Sequence, residues 1–100
     1  MEAKPKQMQF KVRIDDEASR GKYANFVNVW HSNYEFVIDL GQVMPGRNEI
    51  RVFDRIITNP LRAKLFWKAL EMNIQKYEET FGTIDIERHP LPEGQDIKMH

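Results

Sequence analysis

The hydrophobic pattern of the chain changes its period at Asn59-Pro60. Before this point apolar and polar residues alternate, which is typical of half-buried strands, and after it apolar residues recur at helical spacing. Turn-forming residues separate the later alternating segments, and Pro45-Gly46 is the strongest turn signal because proline presets φ and glycine accepts a positive φ. The pattern therefore predicts an antiparallel β-meander. Its four strands are expected over Met8–Ile14, Tyr23–His31, Tyr34–Leu40 and Glu49–Thr58.

A long helix is predicted directly after the strands, over Leu61–Phe81. Asn59 is a favourable N-cap, Pro60 suits the first helical position, and Gly82 suits the position after the last helical residue. The predicted fold class is α+β: a four-stranded antiparallel β-meander followed by one long C-terminal α-helix packed on the sheet. We expect a flexible N-terminal tail over 1–6, a single domain over 7–87, in which Ile84 and Ile86 could add a short strand, and an irregular C-terminal tail over 88–100.

Projection of this helix at about 100° per residue places its apolar residues on two separate faces. The wide face consists of Ala63, Phe66, Trp67, Leu70, Ile74, Tyr77 and Phe81. The narrow stripe consists of Leu61, Leu65, Ala69 and Met72. A helix that lies on one sheet needs a single apolar face, so the narrow stripe needs another cover. The same helix of a second copy is the simplest cover and predicts a homodimer. The alternative is that the stripe packs under the 83–100 tail or a curled sheet edge.

Length and composition limit the classes of protein to which the chain can belong. One hundred residues with 41% hydrophobic content suit one globular domain and do not fit a disordered chain. Fifteen basic residues balance fifteen acidic ones, which argues against a strongly basic nucleic-acid binder. The chain has no cysteine, which excludes disulfides, thiol nucleophiles and thiolate metal sites. No apolar run approaches the length of a membrane span and no signal-peptide pattern is visible, so we expect a cytoplasmic location and no membrane partner.

The sequence carries no catalytic or metal-binding motif. His31, His89 and His100 lack the spacing of zinc ligands, and zinc needs three or four convergent ligands. Glu35 and Asp39 lie four residues apart on one strand face, which separates them by roughly 13 Å, too far for a paired acid and base. No GxSxG, GxGxxG or GxxxxGK motif occurs. We therefore predict no catalytic residue, no metal, no cofactor and no enzymatic activity.

Charge is distributed unevenly along the chain despite its zero net value. The segment 47–68 is mainly basic, and the segment 69–87 is mainly acidic. Cations therefore begin the helix and acidic residues end it, which is the reverse of what the helix macrodipole favours. An antiparallel helix dimer would bring the basic half of one copy against the acidic half of the other. The residues that would meet in this way are Lys64 and Lys68 on one copy and Glu78 and Glu79 on the other.

Basic and aromatic side chains share the outward face of the first and fourth predicted strands. These residues are Lys11, Arg13, Arg51, Phe53 and Arg55. Cations interleaved with an aromatic ring can follow a sugar-phosphate backbone while a base stacks on the ring, so this face is a candidate site for single-stranded nucleic acid. The alternative is cross-strand ion pairing of Lys11, Arg51 and Arg55 with Glu35 and Asp39.

Two stretches of the sequence resemble a known family. The first is YANFVNVWHSNYEFVIDLGQVMPG, over 23–46, and the second runs from RIITNPLRAK at 55–64 to YEETFGTI at 77–84. Both resemble domain of unknown function 3467 (DUF3467), a family of small bacterial proteins. The resemblance covers about residues 23–84 and implies a small stand-alone prokaryotic protein, but it implies no activity.

The predicted architecture is also similar to that of the single-stranded-DNA-binding transcriptional coactivators typified by positive cofactor 4. Those proteins dimerise through the helix and bind DNA on the sheet, a role that would fall here to the five basic and aromatic residues named above. The chain departs from that family because its sheet also carries Glu35 and Asp39 and its net charge is zero. The leading hypothesis is a non-enzymatic binding or assembly module that self-associates through its long helix. The second hypothesis is a single-stranded nucleic-acid binding protein or transcriptional regulator.

Overall fold

A computed structural model describes residues 9–87 of the chain. These residues form two compact units. The first unit contains residues 9–29 and Ile38–Ile56, and the second contains Trp30–Val37 and residues 57–87. The predicted tails over 1–6 and 88–100 lie outside the described residues.

The sheet has three strands, β1 (Phe26–His31), β2 (Phe36–Met44) and β3 (Glu49–Thr58). Their order in the sheet is β1-β2-β3, which makes an antiparallel meander. Ser32 stabilises the turn between β1 and β2, because its hydroxyl oxygen accepts hydrogen bonds from the backbone N–H groups of Tyr34 and Glu35 at 3.2 and 3.3 Å. The predicted turn at Pro45-Gly46 joins β2 to β3, with Gly46 at a positive φ of 84°. The α+β class and the antiparallel sheet are confirmed.

The first of the four predicted strands, over Met8–Ile14, does not form within the described residues, so that prediction is wrong. Residues 9–15 form no strand, and Met8 lies outside the described range. The apolar residues of this segment, Phe10, Val12 and Ile14, are all exposed. Alternation shows that a segment can present one apolar face, but a strand also needs a neighbouring edge with which to pair. Residues 9–14 have no such edge beside them within the described chain.

The second predicted strand begins later than expected because side chains replace part of the backbone ladder. The strand begins at Phe26 rather than Tyr23. The carboxamide oxygen of Asn25 accepts the backbone N–H of Val43 at 2.8 Å. The side-chain amide of Gln42 donates to the carbonyl oxygen of Tyr23 at 3.0 Å. Residues 23–25 therefore lie alongside β2 without continuing the strand.

Two short segments also differ from the predictions. The polar loop after the first predicted strand contains one helical turn, α1 (Asp16–Ser19), in which the Ser19 hydroxyl donates to the Asp16 carbonyl oxygen at 2.6 Å. No strand forms at Ile84 and Ile86. The backbone N–H of Ile84 instead donates to the Glu78 carboxylate at 2.8 Å, so it is satisfied without a sheet partner.

The long helix is confirmed as α2 (Pro60–Phe81), and its two ends form as the sequence predicts. The Asn59 side chain accepts a hydrogen bond from the backbone N–H of Arg62 at 2.7 Å, which satisfies one of the unpaired donors of the first turn. Gly82 ends the helix at a φ of 97° and donates its N–H to the Glu78 carbonyl at 2.9 Å. None of the helices within 9–87 combines the length and the apolar content needed to cross a bilayer.

Burial within the described residues is small. Val37, on β2, is the buried apolar side chain, and Asp39, two residues further on, is the buried charged one. Gly41 is also buried, and a Cβ placed on it would overlap the backbone of Arg51 and Val52 on β3. The row Val37, Asp39 and Gly41 is therefore the most enclosed face of β2.

Candidate functional site

The helix α2 exposes a large amount of apolar surface, because none of its 22 residues is buried. All the large side chains of the wide face are exposed, and Ala63 is half-buried. Its exposed large side chains are Phe66, Trp67, Leu70, Ile74, Tyr77 and Phe81. The narrow stripe is exposed as well, and Leu61, Leu65 and Met72 each keep half or more of their surface accessible. The helix thus presents apolar surface on two opposite sides within the described chain.

The charges of α2 break the usual arrangement at both ends. The first turn carries no acidic residue and the last turn carries no basic residue, so the macrodipole receives no compensating charge. Lys68 forms an i,i+3 ion pair with Glu71 at 3.8 Å, and its ammonium lies 4.6 Å from the centre of the Trp67 ring. Two of the residues expected to pair between copies, Lys68 and Glu78, thus already have contacts within their own chain. Lys64 and Glu79 form no ion pair among residues 9–87.

The five residues proposed for a nucleic-acid face lie on two different segments. Lys11 and Arg13 belong to the exposed segment that precedes α1, while Arg51, Phe53 and Arg55 lie on β3. Phe53 is half-buried and the four cations are exposed. Within the described part of the chain, Lys11, Arg13 and Arg51 form no ion pair. Arg55 differs from them, because its guanidinium is engaged by a carboxylate of β2.

Arg55 and Asp39 form a bidentate ion pair between β3 and β2. The Arg55 Nε donates to Oδ1 of Asp39 at 2.7 Å, and one terminal nitrogen donates to Oδ2 at 3.0 Å. The Asp39 side chain has 0% relative accessibility, whereas that of Arg55 is 45% exposed. The hydrogen bonds to Asp39 raise the pKa of Arg55 above its usual range, so the guanidinium stays charged over the whole practical pH range. Cross-strand ion pairing, the alternative to nucleic-acid binding, is therefore present for Arg55.

Lys22 contributes a cation near Phe53 that sequence reasoning did not identify. Its ammonium lies 3.2 Å from the carboxylate of Asp54 and 5.6 Å from the centre of the Phe53 ring. These groups, with Leu40, line a cavity of about 510 Å³ in the first unit. Lys22 follows Gly21 in a polar loop, and no periodicity relates it to β3, so its position could not be read from the spacing of residues.

Histidine and carboxylate side chains do not form a metal-binding cluster anywhere in residues 9–87. His31 stacks on Phe36 with the ring centres 5.3 Å apart, which gives it a packing role at the turn between β1 and β2. His89 and His100 lie outside the described residues. The prediction that the protein uses no metal, cofactor or catalytic residue stays a prediction.

Comparison with known proteins identifies the family but no function. The family model described as "Protein of unknown function (DUF3467)" matches residues 1–86. No curated protein and no solved structure matches the chain. The match covers more than half of the chain, and it includes both stretches that carry the resemblance seen in the sequence.

Proposed function

From the premise that this chain belongs to the DUF3467 family, whose description assigns no function, we propose that it is a non-enzymatic binding or assembly module that works as a homodimer. The dimer forms through the narrow stripe of α2. The residues of this stripe are Leu61, Leu65, Ala69 and Met72. The observation that supports the proposal is the complete lack of buried residues on a helix with two apolar faces.

The energetics of folding support association. Ordering one residue costs about 1–2 kcal/mol of backbone entropy, which a protein offsets chiefly by burying apolar side chains. Val37 is the one buried apolar side chain among residues 9–87, and the large apolar side chains of α2 keep 38–73% of their surface exposed, so much apolar surface remains to be buried. Contacts beyond those among residues 9–87 would bury this surface. A second copy that covers the narrow stripe would supply part of this burial.

The chemistry of the stripe favours a second copy as its cover. An isologous contact brings the same patch of each copy together, so an apolar stripe is covered by an equally apolar one. Three of the four cations of the helix lie in its first half and its three anions lie in its second half, and an antiparallel arrangement places opposite charges together. Such surface pairs contribute only about 0–1 kcal/mol each, so they set the direction of pairing more than its strength.

Charge substitution within the stripe tests the proposal. Leu65→Glu places a carboxylate at the centre of the proposed contact, and Gln75→Glu places the same group on the polar sector of the helix. We expect multi-angle light scattering to give a dimer mass for the unaltered protein and for Gln75→Glu, and a monomer mass for Leu65→Glu. Circular dichroism of each sample reports whether the helix itself is retained. Equal masses for the two variants would contradict a contact through this stripe.

Single-stranded nucleic-acid binding is the second candidate function, supported by the three exposed cations without an ion pair in the described chain. These are Lys11, Arg13 and Arg51. Each phosphate neutralised on a single strand contributes a slope of about −0.7 to the plot of log K against log salt concentration, so three contacts predict a slope of roughly −2. Fluorescence anisotropy with a labelled oligonucleotide measures this slope. Arg51→Gln should make the slope shallower by about 0.7, the value for one phosphate contact, and Lys76→Gln should leave it unchanged. A lack of binding at low salt would contradict this candidate function.

A further inference from the structure

The segment 9–14 has the pattern of a strand but no strand partner. Its apolar residues Phe10, Val12 and Ile14 alternate with polar ones, and Val12 is 96% exposed. An extended backbone with one apolar face is stabilised only when its N–H and C=O groups pair with a neighbouring strand and its apolar face is covered. Within residues 9–87 the segment receives neither form of stabilisation.

The sheet offers an edge of matching length. β1 pairs with β2 alone among the described strands, so the backbone groups on its other side form an open edge. β1 is six residues long, the same length as the segment 9–14. Val27 and Val29 lie on one face of β1 and are both exposed, at 56% and 55%. Open edges of this kind are templates for pairing with another chain.

We propose that residues 9–14 of one copy pair with the β1 edge of a second copy, so that the two chains of the dimer exchange strands. The proposal rests on the homodimer proposed above and adds a second, independent contact to it. Each chain supplies one donor segment and one β1 edge, so a twofold exchange uses both of them.

Charge selects β1 over β3 as the acceptor edge. When the apolar faces are aligned, Phe10, Val12 and Ile14 lie beside Val27 and Val29 of β1, and the cations of the segment lie beside the uncharged residues Phe26 and Asn28. The same alignment on β3 brings Lys11 and Arg13 into the row that holds Arg51 and Arg55. Like charges on neighbouring strands are destabilising, so β3 is the poorer acceptor.

Disulfide trapping tests the pairing directly, because the natural chain has no cysteine. A ¹⁵N-labelled Val12→Cys chain is mixed with an unlabelled chain that carries Val27→Cys or Val29→Cys. The mixture is unfolded, refolded and then oxidised. Side chains on the same face of adjacent strands meet the geometry of a disulfide, which requires Cα atoms about 4–7 Å apart. The control is a labelled Lys11→Cys chain, since residue 11 points to the opposite face of the segment.

Mass spectrometry should find heavy–light disulfides for Val12→Cys with at least one of the two valine positions, several-fold above those for Lys11→Cys. Cross-linking no greater than the control would overturn the proposal. A chain that carries both Val12→Cys and Val29→Cys distinguishes exchange between copies from pairing within one chain. A disulfide that closes within a single chain would mean that the segment pairs with its own sheet, and it would overturn the proposal. Light scattering of the same uncrosslinked samples separates the two proposals. A dimer without the cross-link overturns strand exchange alone, whereas a monomer overturns the homodimer and strand exchange with it.

Discussion

Truncation of Leu65 to alanine measures the contribution of the narrow stripe to the dimer. Leu65 is 50% exposed in the described chain, so about half of its surface remains to be covered by a second copy. Full burial of a leucine side chain contributes about 1.5–3 kcal/mol, so burial of the remaining half contributes roughly 1 kcal/mol. Both copies lose this contribution in a symmetric dimer, which is a total of about 2 kcal/mol. Since 1.4 kcal/mol corresponds to a tenfold change, the dissociation constant should rise roughly 30-fold.

Sedimentation equilibrium over a dilution series gives the dissociation constant of each variant. Gln75→Ala is the matched control, because residue 75 lies on the polar sector of the same helix and alanine favours helix at both positions. The control should dissociate as the unaltered protein does. The reasoning is refuted if Leu65→Ala and Gln75→Ala have the same dissociation constant, since the loss would then not depend on the stripe.

The remaining predictions concern the fold that presents these surfaces, and urea unfolding followed by circular dichroism at one protein concentration measures all of them. Arg55→Met should lower the unfolding midpoint more than Asp39→Asn, because it removes the bidentate cation from a fully buried carboxylate, whereas the half-exposed arginine can turn to water. Asp39→Asn added to Arg55→Met should then restore part of the stability, and simple additivity of the two losses would contradict the pairing. Asn59→Ala should destabilise by about 1 kcal/mol through loss of the helix cap, and Asn59→Asp should retain most of that stability. Gly41→Ala should cost about 1–3 kcal/mol because the added methyl group meets the backbone of β3 rather than a movable side chain, and an unchanged midpoint would show that the strands are further apart.

The elements that sequence reasoning predicted correctly are those fixed by neighbouring residues. Asn59, Pro60 and Gly82 act within one turn of α2, so the residue types alone determine where the helix begins and ends. Gly46 similarly supplies the positive φ of its turn without reference to any other strand. β3 is predicted with both bounds correct, because the Pro45-Gly46 turn and the Asn59 cap enclose it.

The elements that the sequence did not predict depend on contacts between distant residues. Residues 9–14 alternate as clearly as β3 does, yet the pattern does not say whether an edge is available to them. The start of β1 depends on Asn25 bonding to Val43 through its side chain, which no periodicity encodes. Among the candidate site residues, the strand pattern predicted the pairing of Arg55 with Asp39 as one of two alternatives. The contact of Lys22 with Phe53 could not be predicted in this way, because Lys22 lies in a loop outside the strand pattern.

The molar mass of the unaltered protein in solution is the most direct test of the central claim, that α2 is covered by a second copy. Light scattering coupled to size exclusion, from tens of micromolar downward, gives this mass without any substitution. The account predicts twice the chain mass of 11.9 kDa at the higher concentrations. A mass of 11.9 kDa throughout the series, with the helix intact by circular dichroism, would contradict it.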